Sequence, residues 1–132
     1  MITNEEKTRL INTAIKYNSN AYAPYSKYKV SASIMTLNGR IYSGCNFECA
    51  SYGAGVCAER VALGVALAVG ERKFKAICVC GNQSTITPCG ICRQALIEFG
   101  DIDVICCDSK GNSQEYRLTD LLPNAFSSSE LN

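Results

Sequence analysis

Two short stretches of this chain carry residues able to do chemistry: Cys-Ala-Glu-Arg at positions 57–60 and Pro-Cys-Gly-Ile-Cys at positions 88–92. Cys89 and Cys92 are three apart, so on a helix they share a face and both thiolates can reach one ion. Alone, a C-x-x-C pair is ambiguous, because a thioredoxin-like redox pair and a zinc knuckle both have it. The common structural zinc pattern needs a second C-x-x-C, which this sequence lacks, and the redox reading leaves Cys57, Glu59 and Arg60 without a role. Cys57, like Cys89 and Cys92, falls at a predicted helix start, where partial positive charge and free N–H groups lower a thiol's pKa. Two helices meeting N-terminus to N-terminus would present three such sulfurs to one point. Three protein ligands on Zn²⁺ leave a fourth tetrahedral position for water, the pattern of a catalytic site.

Glu59 fits that picture only under one condition. Residues two apart on a helix point roughly 200° away from each other, so Cys57 and Glu59 converge only at the first turn, where side chains reach past the helix end. A carboxylate there could take a proton from an activated water and pass it on. Three thiolates give the ion a net negative charge, which works against acidifying the water. Arg60 supplies a remedy by hydrogen bonding to the sulfurs. Gln94, one turn beyond the C-x-x-C, is either another such donor or an exposed helix residue.

The rest of the composition narrows the class of protein. The chain has 132 residues, nearly half of them apolar, with 13 Lys+Arg against 12 Asp+Glu. It is expected to form one domain over residues 1–132. Near-zero net charge and the absence of a Lys/Arg cluster argue against a nucleic-acid partner. No signal-like segment opens the sequence, and the apolar run from Val61 to Val69 is too short to span a bilayer, so the cytoplasm is expected and a membrane is not. The nine cysteines are odd in number and do not read as a disulfide framework. Cys78, Cys80, Cys106 and Cys107 fall in apolar runs and are read as core; Cys45 and Cys49 are read as loop thiols. With no histidine anywhere, a zinc site must use sulfur, carboxylate and water.

The elements that must position these residues follow from pattern. Thr3 and Glu6 form a capping box for a first helix with Leu10, Ile11, Ala14 and Ile15 on its apolar stripe. Val30–Ile34 alternates, Asn38-Gly39 turns, and Ile41–Gly44 returns as a hairpin. Val56–Val69, apolar nearly all round and closed by Gly70, predicts a buried helix. Lys75–Cys80 reads as an interior strand. Thr87 as N-cap, Pro88 at the first helical position and Gly100 past the end predict a third helix. Asp103–Cys107 is a second interior strand, Glu115–Leu118 an edge strand, and Thr119–Pro123 a short last helix. The fold class is therefore α/β: a single mixed β-sheet of about five strands, an N-terminal hairpin plus interior strands, with helices packed on both faces.

Taken in order, Ala-Pro-Tyr-Ser-Lys-Tyr-Lys-Val (23–30), Gly-Cys-Asn-Phe-Glu-Cys-Ala-Ser-Tyr (44–52), Cys-Ala-Glu-Arg-Val-Ala-Leu (57–63), Pro-Cys-Gly-Ile-Cys-Arg-Gln (88–94) and Leu-Leu-Pro-Asn-Ala-Phe (121–126) resemble the small zinc-dependent cytidine deaminases. The zinc deaminases as a class are already described by such a ligand set with a non-ligating Glu, so this assignment rests on resemblance and not on spacing. The resemblance implies hydrolytic deamination of cytidine and deoxycytidine to uridine and deoxyuridine, in pyrimidine salvage. It implies one Zn²⁺ per subunit on Cys57, Cys89 and Cys92, an activated water attacking C4 of the base, and Glu59 as proton shuttle. It further implies backbone hydrogen bonds from Ala58 to the base, Asn46 and Glu48 on the ribose hydroxyls, and Tyr28 stacked on the pyrimidine. Phe126 matches a residue that enters a neighbouring subunit's site, while Ala50 and Tyr52 match contacts to the 5′ side of the sugar across a subunit boundary. The implied assembly is a homotetramer with shared sites.

Blander roles stand beside these: packing for Tyr28, an anchor for the tail in Phe126, a turn residue in Asn46. Two positions depart from the family: Cys49 replaces the usual Asn after N-x-E, and Val-Ser-Ala-Ser replaces Val-Gly-Ala-Ala at 30–33. The competing functions are deamination of another small aminopyrimidine nucleoside, such as a nucleoside antibiotic, and a non-catalytic zinc-stabilised interaction module.

Overall fold

The computed structural model describes residues 2–131. Thr3 caps the first helix, α1 (Asn4–Tyr17), as the sequence predicts: its hydroxyl accepts from Glu6 N at 3.1 Å while Thr3 N donates to Glu6 Oε1 at 2.9 Å. The helix buries Leu10 and Ala14 against the first strand, β1 (Val30–Thr36). The two serines of the Val-Ser-Ala-Ser departure explain that seat. Ser31 Oγ donates to Ala14 O at 2.6 Å and Ser33 Oγ to Leu10 O at 2.7 Å, both fully buried. Each such bond contributes about 1 kcal/mol net, so these hydroxyls fasten α1 to the sheet and stand on the opposite face from the helix that carries Glu59.

β1 turns back into β2 (Ile41–Cys45) in antiparallel register, Met35 opposite Ile41. The turn differs from a two-residue Asn-Gly hairpin. Gly39 N donates to Thr36 O at 3.0 Å, Thr36 N to Arg40 O at 2.8 Å, and Gly39 alone has positive φ, +85°. That is a three-residue loop with a glycine in the left-handed position, the next most common hairpin geometry. Cys45, expected in a loop, is the last residue of β2, its thiol 3.1 Å from Tyr17 O.

The second helix, α2 (Ala58–Ala68), starts at Cys57 and closes at Gly70, whose φ is +95°. It lies on β2 because Gly44 has no side chain: a Cβ there would sit 2.9 Å from Ala58 O and closer still to the Ala62 amide nitrogen. The expectation of a helix buried all round is corrected. Ala58, Glu59, Ala62, Leu63 and Ala66 are buried, but Val65 is 41% and Val69 63% exposed. One sheet can cover only one side of a helix, so the second apolar face is left bare.

β3 (Phe74–Gly81) pairs antiparallel with β1 and parallel with β4 (Asp103–Asp108), and β5 (Ser113–Arg117) pairs antiparallel on the far edge. The sheet order is β2-β1-β3-β4-β5. Between the parallel strands runs α3 (Gly90–Ile97), and α4 (Leu118–Leu121) follows β5. The predicted start of α3 is two residues early. Cys89, extended at φ −68° and ψ 169°, is the N-cap, and Thr87 instead accepts from Arg93 Nη2 at 3.0 Å. The core splits into two layers: Leu10, Ala14, Met35, Cys78, Cys80, Ile105 and Cys107 under α1, and Ala32, Ile34, Ile77, Val79, Val104 and Cys106 under α2 and α3. All four strand cysteines are buried as expected, with Cys78 Sγ and Cys107 Sγ 3.6 Å apart as free thiols. Among the described residues no helix is long and apolar enough to cross a membrane.

Candidate active site

The parallel β3–α3–β4 unit and the β2–α2 packing bring two helix starts together. Cys57 is the N-cap of α2 and Cys89 the N-cap of α3; neither uses its side chain to cap the helix. Cys92, one turn into α3, is buried. The three Sγ atoms lie within 4.8 Å of one another, and Cys57 Sγ is 3.8 Å from Cys89 Sγ. Two sulfurs at Zn–S of about 2.3 Å in tetrahedral coordination sit about 3.8 Å apart. The donor set therefore fits zinc in kind, and the Cys57–Cys89 separation fits it in spacing.

Glu59 is the second residue of α2 and only 4% exposed. It sits at the helix's first turn, where the sequence requires it to be if it is to share surroundings with Cys57. Burial pushes its carboxyl above the usual range, against the opposing pull of its own backbone N–H, Arg60 and the Cys92 thiol. Arg60 Nη2 reaches Cys57 Sγ at 3.7 Å, the guanidinium also contacts Cys92, and its Nε is buried without a partner. A half-buried cation set against two sulfurs is placed to offset thiolate charge.

The expectation of three low-pKa thiols is corrected. Cys89 alone lies below its ordinary value: burial raises it, but the Cys92 and Ile91 N–H groups and the neighbouring thiols outweigh that. Burial pushes Cys57 up, with Arg60 opposing and Cys89 adding to the rise. Burial and the Glu59 carboxylate push Cys92 well up. Helix N-termini cannot alone sustain three anions and a carboxylate within a few ångströms; a bound cation has to supply the missing countercharge.

A second group of predicted residues is assembled from two loops zipped together by backbone. Tyr22 N donates to Asn46 O at 3.0 Å, Glu48 N to Tyr22 O at 3.0 Å, and Phe47 exchanges bonds with Val56 at 3.0 and 3.2 Å. Asn46 is a staple: its Nδ2 donates to Tyr28 O at 3.1 Å and its Oδ1 accepts from Val30 N at 3.0 Å. Glu48 Oε1 accepts from Tyr25 N and Ser26 N, both at 3.0 Å, and Oε2 from the Ser26 hydroxyl. These donors, the Ser26 hydroxyl first, hold its carboxyl below the usual carboxylate range. A cavity of about 360 Å³ opens beside it, lined by Tyr25, Ser26, Glu48, Cys49, Tyr52 and Gly55. Tyr28 is half-buried, its hydroxyl 3.2 Å from Ser84 Oγ. Gly81 makes room for it, since a Cβ there would meet the Tyr28 hydroxyl at 2.7 Å.

The remaining predicted residues differ in exposure. Ala58 is fully buried as the first residue of α2. Ala50 is exposed and Tyr52 78% exposed, edge-on to Tyr25 with ring centroids 5.9 Å apart. Phe126 is 57% exposed. Gln94 does not reach the sulfurs: it is exposed and its Nε2 donates to Phe126 O at 2.9 Å, tying down the C-terminal segment. Ser26 escaped the sequence reading altogether, because a serine in a loop has no spacing signal until the loop's partner is known.

A five-stranded mixed sheet that sets a three-cysteine cluster and a buried glutamate at two helix starts defines a class. The sequence pattern described as "Cytidine and deoxycytidylate deaminase zinc-binding region" matches residues 4–108, and the chain belongs to that family, whose zinc the cluster is suited to hold. A cytidine deaminase from Sporosarcina psychrophila is 40% identical over 126 residues, 93% of each chain. A probable cytidine deaminase from Dictyostelium discoideum is 38% identical over 129 residues, 96% of this chain and 88% of that one. The 1.6 Å crystal structure of cytidine deaminase from Burkholderia pseudomallei matches with TM-score 0.86 at 44% identity, covering 95% of this chain and 100% of that one.

Proposed function

We propose that the chain hydrolyses cytidine and deoxycytidine to uridine and deoxyuridine with release of ammonia, as a pyrimidine-salvage enzyme of the cytoplasm. The observation that carries this reading is the convergence of three Sγ atoms within 4.8 Å beside a buried carboxylate. Cys57, Cys89 and Cys92 hold one zinc per subunit, and the metal supplies the Lewis acidity that makes a water nucleophilic at neutral pH. Glu59 takes one proton from the water that attacks C4 and delivers it to N3 of the cytosine ring. It then carries the proton left on that oxygen to the amino nitrogen as the C4–N4 bond breaks and the C4 carbonyl forms. Burial suits it to the task, because a carboxylate with a raised pKa is a stronger base than an ordinary one and accepts the water's proton more readily. Backbone groups of Ala58 orient the base, the Tyr28 ring stacks on it, and Asn46 and Glu48 hold the sugar.

Residues 1–132 act as one catalytic domain within a homotetramer. Support for the assembly comes from apolar side chains left bare on the single chain: Val65, Val69, Ile91 (65% exposed), Tyr52 and Phe126. Phe126 enters a neighbour's site, and Ala50 with Tyr52 meets the 5′ side of the sugar across the same boundary.

Purified, zinc-loaded protein is expected to bleach the cytosine absorbance of cytidine and deoxycytidine and to release one ammonia per turnover. No turnover on either nucleoside would remove the assignment. Arg60→Gln is expected to keep stoichiometric zinc but lower kcat by about 10- to 100-fold, the usual size of an outer-sphere loss at a metal site. Unchanged kcat would show that charge withdrawal from Cys57 and Cys92 is not needed.

A further inference from the structure

We propose that Ser26 is a positioning residue for the sugar end of the substrate, its hydroxyl locking the Glu48 carboxylate and the Tyr28 peptide into one unit. The proposal rests on the deaminase reading of Glu48 and Tyr28 given above. Ser26 Oγ carries a single proton, which it donates to Glu48 Oε2, and it accepts in turn from Tyr28 N at 3.0 Å. Both directions are thereby fixed: a backbone N–H can only donate, so the hydroxyl's proton must go to the carboxylate. The chain between the two contacts is Lys27, held at φ +61°, a left-handed conformation uncommon for a residue other than glycine. Lys27 N donates to Ala23 O at 3.0 Å. The hydroxyl therefore bridges a tight loop that would otherwise be free to relax.

The count of lone pairs gives this loop a chemical consequence. An ionised carboxylate offers about four accepting positions. Tyr25 N and Ser26 N occupy both on Oε1, and the Ser26 hydroxyl occupies one on Oε2. One accepting position remains, on Oε2, at the wall of the 360 Å³ cavity that Glu48 and Ser26 line together. Glu48 is thus set to accept from one sugar hydroxyl, in a fixed direction, with no proton of its own to donate. Tyr28 keeps its place independently at its other end, through Asn46 Nδ2 on its carbonyl. Loss of the Ser26 hydroxyl therefore falls on the sugar contact before it falls on the base.

The test compares Ser26→Ala, Ser26→Thr, Glu48→Ala and the Ser26→Ala/Glu48→Ala double variant, each zinc-loaded. KM and kcat are measured for cytidine, and inhibition constants for uridine and 2′,3′-dideoxyuridine. Ser26→Ala is expected to raise the KM for cytidine and the inhibition constant of uridine about tenfold, the effect of a lost hydrogen bond to a charged group. Its kcat should stay within about twofold and its affinity for 2′,3′-dideoxyuridine should not move. Ser26→Thr should restore uridine binding, and Ser26→Ala should add nothing in the Glu48→Ala background. If Glu48→Ala weakens uridine selectively while Ser26→Ala does not, Ser26 has no positioning role and the sugar reading of Glu48 survives. Equal weakening of both inhibitors by Ser26→Ala would likewise overturn the proposal, since a general structural loss does not distinguish sugars. If Glu48→Ala fails to separate uridine from its dideoxy analogue, the sugar reading fails and takes the proposal with it.

Discussion

Glu59→Gln protein is expected to fold, to hold its zinc, and to deaminate cytidine about a thousandfold more slowly than the parent. The substitution keeps the volume of a side chain that is only 4% exposed, and Glu59 is not one of the three clustered sulfur donors. What it removes is the ability to accept and return a proton, a contribution of about 10²–10⁴ in rate. Burial holds the Glu59 carboxyl above its ordinary range, so in the metal-free protein its ionised form is favoured less by the folded than by the unfolded chain. At neutral pH it therefore subtracts from stability, and metal-free Glu59→Gln should melt no lower than the metal-free parent. Metal analysis, calorimetry and kcat on one preparation check all three points. Loss of zinc from this variant would make the carboxylate a ligand and end its role as proton carrier.

Removing one sulfur has the opposite signature. Cys92→Ala is expected to lose stoichiometric zinc and, with it, all measurable turnover, and to melt lower than the zinc-loaded parent because a ligand bound only to the folded state stabilises by mass action. Cys78→Ala provides the contrast: its thiol is buried under α1, 3.6 Å from Cys107, and the variant should keep zinc. The sign of the pH dependence follows from the thiols. Cys57 and Cys92 are raised above their ordinary values without an ion, so metal binding must displace protons from them. Zinc affinity of the parent should accordingly rise with pH, and binding in weakly buffered solution should acidify the medium. Zinc retained by Cys92→Ala would break the three-sulfur assignment.

The elements that seat the chemistry were legible because each carries a local signal: Thr3 and Glu6 at a cap, alternation through β1, apolar runs at β3 and β4, and cysteines beside helix starts. Their errors are local too. Thr87 looks like an N-cap until Arg93 is seen to claim its hydroxyl, which leaves Cys89 to begin α3. Asn38-Gly39 signals a turn, yet only the Thr36–Arg40 pairing decides its length. Long-range consequences were not legible. Gln94 sits two residues from Cys92, which turns it roughly 200° away on the helix, and there it donates its hydrogen bond to the tail at Phe126 O. The sulfurs' acidity failed for a similar reason: helix starts are visible in the sequence, whereas the burial that raises Cys57 and Cys92, and the repulsion between groups from the two segments, depend on how closely those segments are brought together. Asn46 was singled out for its chemistry, and the structure adds a structural task that the sequence did not show, with one amide N–H donated to Tyr28 O and one Oδ1 lone pair accepting from Val30 N.

The bare backbone at Gly44 acts as a spacer of zero thickness between the sheet and the start of α2. Whatever sits there sets how far Cys57 stands from the opposite helix, so the fit of the metal is governed in part by a residue with no side chain to offer it. A methyl group at that point would lift one jaw of the clamp while leaving every ligand in the sequence intact.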